Sequence, residues 1–183
     1  MNLQRVEALI QELLIEMGED ISRKGLKRTP TRFAKALEFL TSGYTEDFKT
    51  IINETYFPHN SGLVINKNIA IYSLCEHHLL PFFGICHIGY IPKHQVIGLS
   101  KLTRISQTYA RRLQVQERLT EQIAKTLMEE INAIGVGVML NCRHLCNEMR
   151  GVEQNQSVMI TCSTVGNLGL SEKEFIHFIT SLE

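Results

Sequence analysis

Apolar residues at Leu3, Val6, Leu9, Ile10, Leu13, Leu14 and Met17 recur every three or four positions. That period places them on one stripe of an amphipathic helix, and Gly18 fits as its stop. Thr29 ahead of Pro30 reads as a helix cap followed by proline at the first helical position. Phe33, Ala36, Leu37 and Leu40 extend that second helix toward Gly43. Residues 1–45 are thus expected to form a helical N-terminal segment, with 46–183 as the remaining structural unit.

The period then changes. Val64 to Tyr72 is rich in β-branched residues, and Gly84 to Ile91 predicts a second strand. Pro81 and Gly84 are expected to help the chain reverse between them, and Pro92-Lys93-His94-Gln95 supplies a turn before Val96-Ile97. Two helices follow. Ser100 is expected to cap the first, which carries Leu102, Ile105 and Tyr109; the second has Val115, Leu119, Ile123, Leu127 and Ile131 at four-residue spacing. Val136, Val138, Leu140 and Cys142 alternate with Gly137, Met139, Asn141 and Arg143, the pattern of a half-buried strand. Ser157 to Val165 is expected to pair with it across a turn at 151–156. Ser171 and Glu174 form a capping box ahead of Phe175, Phe178 and Ile179. The class is α+β: helices first, then an antiparallel sheet with a helix pair on one face.

Composition changes this picture little, and charge changes it locally. At 183 residues the chain suits one domain with a sizeable core. Lys plus Arg equals Asp plus Glu at 19 each, so bulk charge does not point to a nucleic-acid partner. The N-terminal helix carries acids and does not read as a signal peptide. No run approaches about 18 apolar residues, so no membrane span is expected. Five cysteines, an odd number, suggest a reducing compartment and metal chemistry, and the protein reads as cytoplasmic. Between His77 and Gln116 there is no acid, yet Lys93, Lys101, Arg104, Arg111 and Arg112 fall there. A helix starting near Ser100 with Lys101 and Arg104 beside it suits an oxyanion or phosphate. Glu117, the lone acid that breaks the basic run, could accept two N–H donors from a guanine edge.

Cys75-Glu76-His77-His78 and His144-Leu145-Cys146 carry the candidate chemistry. Cys75 and His78 can be aimed at one point by a single turn, and an extended backbone would put His144 and Cys146 on one face. Thiolate and imidazole suit Zn²⁺ in tetrahedral geometry. Cys75, His78 and Cys146 alone leave a fourth position for water, as in a catalytic site; closure by Cys142 or His144 would make a structural one. Spacing leaves both open. His59, His94 and His177 have no clustered partners, and Cys86 and Cys162 read as buried thiols. His87, near the metal turn, is a weak candidate for a supporting role.

Four stretches together resemble the GTP cyclohydrolase I family: Cys75 to Gly84, Val96 to Ile105, Arg111 to Thr120, and His144-Leu145-Cys146 with Met149 to Val152. Gly25-Leu26 with Thr29-Pro30 and Arg32 resembles the family's N-terminal segment. Asn147 stands where an apolar residue is expected, and Gly166-Asn167-Leu168 where Gly-x-Phe is usual. The resemblance implies a tunnelling-fold enzyme converting GTP and water to formate and 7,8-dihydroneopterin triphosphate, for folate or tetrahydrobiopterin synthesis. It implies a homodecamer of two pentamers with active sites at subunit interfaces. Carried over by motif, Cys75, His78 and Cys146 hold zinc, and His77 and His144 transfer protons. Glu117, with help from Gln116, binds guanine, while Ser100, Lys101, Arg104 and Arg150 hold ribose and triphosphate, Ser100 also serving proton transfer. An enzyme of the same fold acting on a pterin or deazapurine, and a non-catalytic zinc-stabilised paralogue, are the alternatives.

Overall fold

The computed structural model describes residues 1–52, 56–59 and 62–182. The chain divides into two compact units, Met1–Ser42 and Gly43–Glu183.

The first unit is a pair of helices, α1 (Leu3–Glu16) and α2 (Thr29–Leu40). Asn2 caps α1 by accepting from the Arg5 N–H, and Gly18 ends it at φ +83°, where glycine carries no steric penalty. Thr31 Oγ1 donates to Glu7 Oε2 at 3.0 Å and ties the two helices. Thr29 is not the cap of α2. It is already helical, the preceding Arg28 takes the cap position without a side-chain bond, and Pro30 sits in the first turn as expected.

The second unit is built on a five-stranded sheet. Its members are β2 (Val64–Cys75), β3 (Pro81–Ile91), β5 (Leu113–Gln114), β6 (Gly135–His144) and β7 (Met159–Gly166), in the order β5-β2-β3-β6-β7. All neighbours are antiparallel except β2 and β5, which pair in parallel over two residues. A separate ribbon pairs β1 (Tyr56–Pro58) with β4 (Gln95–Ile97), a partner that the sequence pattern does not reveal. The short α3 (Phe48–Ile52) is likewise unannounced.

The expected helix pair is α4 (Leu99–Ala110) and α5 (Gln116–Ile131). Leu102, Ile105, Leu119, Ile123, Leu127 and Ile131 form one core with Ile71, Ile88, Val136, Val138 and Leu140 of the sheet. Burial of such side chains is worth roughly 1.5–3 kcal/mol each relative to exposure. Ser100 is not the cap of α4: Gly98 takes that position, and Ser100 is exposed in the first turn. The other sheet face carries α7 (Glu172–Ser181), opened by the predicted Ser171–Glu174 capping box. Phe175 and Ile179 there meet Met139 and Leu168. β6 is therefore buried on both faces through Leu140, where alternation predicts a half-buried strand. Leu168 fills part of this second core, so the atypical tail still supplies an apolar anchor.

Gly84 does not turn the chain. It lies inside β3 opposite Cys142, and a Cβ there would stand 2.0 Å from Asn141 O and 2.7 Å from Cys142 Cα. The reversal belongs to residues 75–80, where Leu79 adopts φ +55° and donates its N–H to Cys75 O at 2.8 Å. Glycine at 84 instead permits close approach of β3 and β6. Gly84→Ala should therefore destabilise the fold by about 2 kcal/mol or more. Urea unfolding followed by circular dichroism tests this; an unshifted midpoint would mean the strands separate freely to admit a methyl group.

Candidate metal centre and active site

Pairing of β3 with β6 joins the two halves of the site. Phe82, just past the metal turn, lies opposite His144, and their rings stack at 4.7 Å between centroids and 8° between planes. Cys75 ends β2, and His78 follows in the turn. The backbone then stops being extended: Leu145–Glu148 forms a short helix, α6, so Cys146 reaches the turn from a helical position. The ligand atoms of Cys75, His78 and Cys146 lie within 4.8 Å of one another. His144 is not in this group, contrary to a shared strand face, because the chain bends between the two residues. Cys142 is buried in β6, and burial pushes its thiol up to about 12. Thus the spacing left two candidates for a fourth protein ligand, and neither joins the cluster.

The donor set fits a metal. Two sulfurs and an imidazole meet at one side of a turn, the Cys75 Sγ to His78 Nδ1 distance being 3.9 Å. Those are zinc's preferred donor types, and three leave a position open. Burial and the adjacent Cys75 thiol raise the Cys146 thiol above its usual range, as expected of two sulfurs facing each other. His78 Nε2 accepts from the Arg150 guanidinium at 3.0 Å. His77 is exposed on the same turn, with Nδ1 3.8 Å from Cys75 Sγ and Nε2 4.0 Å from Glu76 Oε1.

His144 is fixed from behind by Gln116. The Gln116 amide nitrogen donates to Met159 O at 2.9 Å and Thr161 Oγ1 at 3.0 Å, with Leu140 O at 3.2 Å. Its Oε1 is therefore the acceptor, and His144 Nε2 donates to it at 2.8 Å. The neutral imidazole then carries its proton on Nε2, leaving Nδ1 as acceptor. Burial lowers the His144 pKa, against the opposing effect of the Glu117 and Glu148 carboxylates. Gln116 itself is 1% exposed and its side chain is fully engaged, so it supports His144 and does not present its amide to a ligand. Glu117, next on α5, is exposed and near enough to act on His144.

Ser100, Lys101 and Arg104 stand apart from this centre. They occupy the first turns of α4, whose far end leads through Arg111 to β5, and β5 pairs beside Cys75. Arg104 lines a 310 Å³ cavity with Glu46, Ile51, Gln107, Thr108 and Arg111. Lys101 is buried, its ammonium donating to Ile51 O at 2.7 Å. None of His59, His94 and His177 belongs to the ligand cluster. His87 is buried opposite Met139, on the side of the second core. Cys86 is fully buried and its thiol strongly raised, whereas Cys162 is only half-buried and raised to about 11. Two residues had no sequence signal for their part here: Arg118, which holds the Glu76 carboxylate, and Thr161, which anchors Gln116.

Comparison with known proteins places the chain in a family. The family described as GTP cyclohydrolase I matches residues 6–183. A GTP cyclohydrolase 1 of Leptospira biflexa is 51% identical over 162 residues, 88% of each chain. One from Methylococcus capsulatus is 52% identical over the same share of each. One from Campylobacter lari is 49% identical over 97% of this chain and 94% of its own. Among solved structures, an archaeosine synthase QueF-like protein in the apo form aligns with TM-score 0.50 at 15% identity, over 60% of this chain and 99% of its own. That likeness speaks for the fold alone, and the fold is the tunnelling fold. A match along nearly the whole sequence, with relatives about half identical, assigns this chain to the GTP cyclohydrolase I family.

Proposed function

We infer that this protein is a zinc-dependent GTP cyclohydrolase I, which opens the guanine imidazole ring of GTP, releases formate and closes the product to 7,8-dihydroneopterin triphosphate. The observation that carries the metal reading is the convergence of Cys75, His78 and Cys146 beside a histidine whose proton is fixed at Nε2. Zinc in that cluster supplies Lewis acidity and makes a water nucleophilic at neutral pH.

The chain's own groups do the rest. His144, neutral at pH 7 because burial lowers its pKa, accepts a proton at Nδ1 and returns it to the base, whose C8 is a poor electrophile until its ring is protonated. His77, exposed on the metal turn, serves the second proton transfer. Glu117 accepts from guanine N1–H and the 2-amino group together, and Gln116 assists it only through His144. Arg150 holds phosphate: its guanidinium, which donates to His78 Nε2 at 3.0 Å, would exchange that acceptor for a phosphate oxygen. Arg104 and Lys101 hold the remaining triphosphate charge, with Ser100 at the ribose, and Lys101 must first leave Ile51 O.

Arg104 lines a cavity that none of Cys75, His78 and Cys146 lines, which supports a reading in which a neighbouring chain completes the site. A homodecamer of two pentamers, in which a neighbour's α4 meets this metal turn, fits that reading. Residues 1–45 are then an N-terminal helical segment, and 46–183 the catalytic part. No described helix is long and apolar enough to cross a membrane, and we read the protein as cytoplasmic.

Incubation with GTP should yield formate and, after oxidation, a fluorescent pterin; neither product from zinc-loaded protein would defeat the reading. Cys142→Ser should leave bound zinc and activity near wild type, while Cys146→Ser should remove both. Zinc lost from the Cys142 variant would favour a structural site. Glu117→Gln should cost about 2 kcal/mol of transition-state stabilisation, roughly thirtyfold in kcat/KM, with zinc retained. Arg104→Ala should weaken GTP far more than guanosine. Near-normal kcat/KM in the Glu117 variant would make that carboxylate an ordinary helix-surface group.

A further inference from the structure

We propose that Arg118 is a positioning residue for the metal turn, acting through Glu76. The proposal rests on the metal reading above and extends it to residues outside the ligand set.

An exposed ion pair by itself contributes little. This one differs in how it is built. The Arg118 guanidinium bonds the Glu76 carboxylate and, from the same group, donates to Leu113 O at 3.1 Å and Gln114 Oε1 at 3.0 Å. Gln114 is 1% exposed, and its amide nitrogen donates to Tyr109 O at 3.0 Å and Gln122 Oε1 at 2.9 Å, so its oxygen is fixed as acceptor. The fork of Arg118 is thus held on β5 before it reaches the turn.

Glu76 is gripped twice. Its backbone N–H donates to Gln114 O at 3.0 Å, beside the parallel pairing of Cys75 with Gln114, and its side chain is taken by Arg118. It lies between the ligands Cys75 and His78. The N–H groups of His78 and Leu79 both point to Cys75 O, so a rotation at Glu76 would carry the turn with it. On the other side, Arg118 shares the first turn of α5 with Gln116, which holds His144, and with Glu117. One helical turn therefore sets His144, the base-reading carboxylate and the metal turn against one another. Lysine at 118 would keep the charge and lose the fork, which needs donors in fixed planar geometry.

The test uses full-length protein and measures zinc affinity by competition with a chromophoric chelator, together with the absorption spectrum of the cobalt(II) form. Glu76→Gln and Arg118→Lys should each weaken zinc by about ten- to a hundredfold, the usual range for groups that orient ligands from outside. The double variant should bind no more weakly than the worse single, since both changes break one contact. The cobalt spectrum should shift in all three. Losses that multiply in the double variant overturn the proposal. So does a lowered thermal midpoint of the metal-free protein with zinc affinity and cobalt spectrum unchanged. Zinc binding by wild type and equally by the variants would sink this inference alone. No zinc binding by wild type would sink the metal reading and this inference with it.

Discussion

Antiparallel pairing of β3 with β6 is the constraint on which the site depends. It sets Phe82 against His144 and Gly84 against Cys142, bringing together segments far apart in the chain. A slip of one residue would turn every side chain of a strand to the opposite face, removing His144 from Gln116 and Cys146 from the turn. Two cores resist that slip. Val136, Val138 and Leu140 are packed against α4 and α5, while Met139 on the other face is packed with α7. The geometry of the Cys75–His78–Cys146 cluster is therefore set by apolar packing along β6, and not by the three side chains themselves.

How legible this was depended on distance along the chain. The helices of residues 3–16, 99–110 and 116–131 follow from apolar spacing, and the capping box of α7 from two residues. Cys75 and His78 were readable as a pair because one turn contains both. Cys146 was readable as a ligand type, but its route was not: the strand ends at His144, and only tertiary packing reveals the helical turn that follows. Gln116 shows a different limit. In sequence it neighbours Glu117 and suggests a shared task, yet helical geometry sends adjacent side chains in different directions, one into the core and one to solvent. The β1–β4 ribbon pairs two three-residue strands, too short for any periodic signal.

Electrostatics follow the same division. A chain with equal numbers of acids and bases still keeps 77–116 free of acids, with Lys101 and Arg104 in the first half of α4 and Arg111 and Arg112 just past its end, where Arg112 lines a pocket with Glu76. Lys101, capped by a backbone carbonyl, meanwhile avoids the cost of an unpartnered buried ammonium.

Leu79 has a consequence for the shape of the metal turn. A branched side chain at φ +55° sits in a region that non-glycine residues avoid, at a cost on the order of 1–2 kcal/mol. An unfolded chain would not hold the 75–80 loop in that shape, so it offers a passing ion only scattered thiols and imidazoles. In the folded chain β2 and β3 flank the turn and hold that conformation from both ends. An ion taken up by Cys75, His78 and Cys146 would thus meet a turn already shaped by its flanking strands.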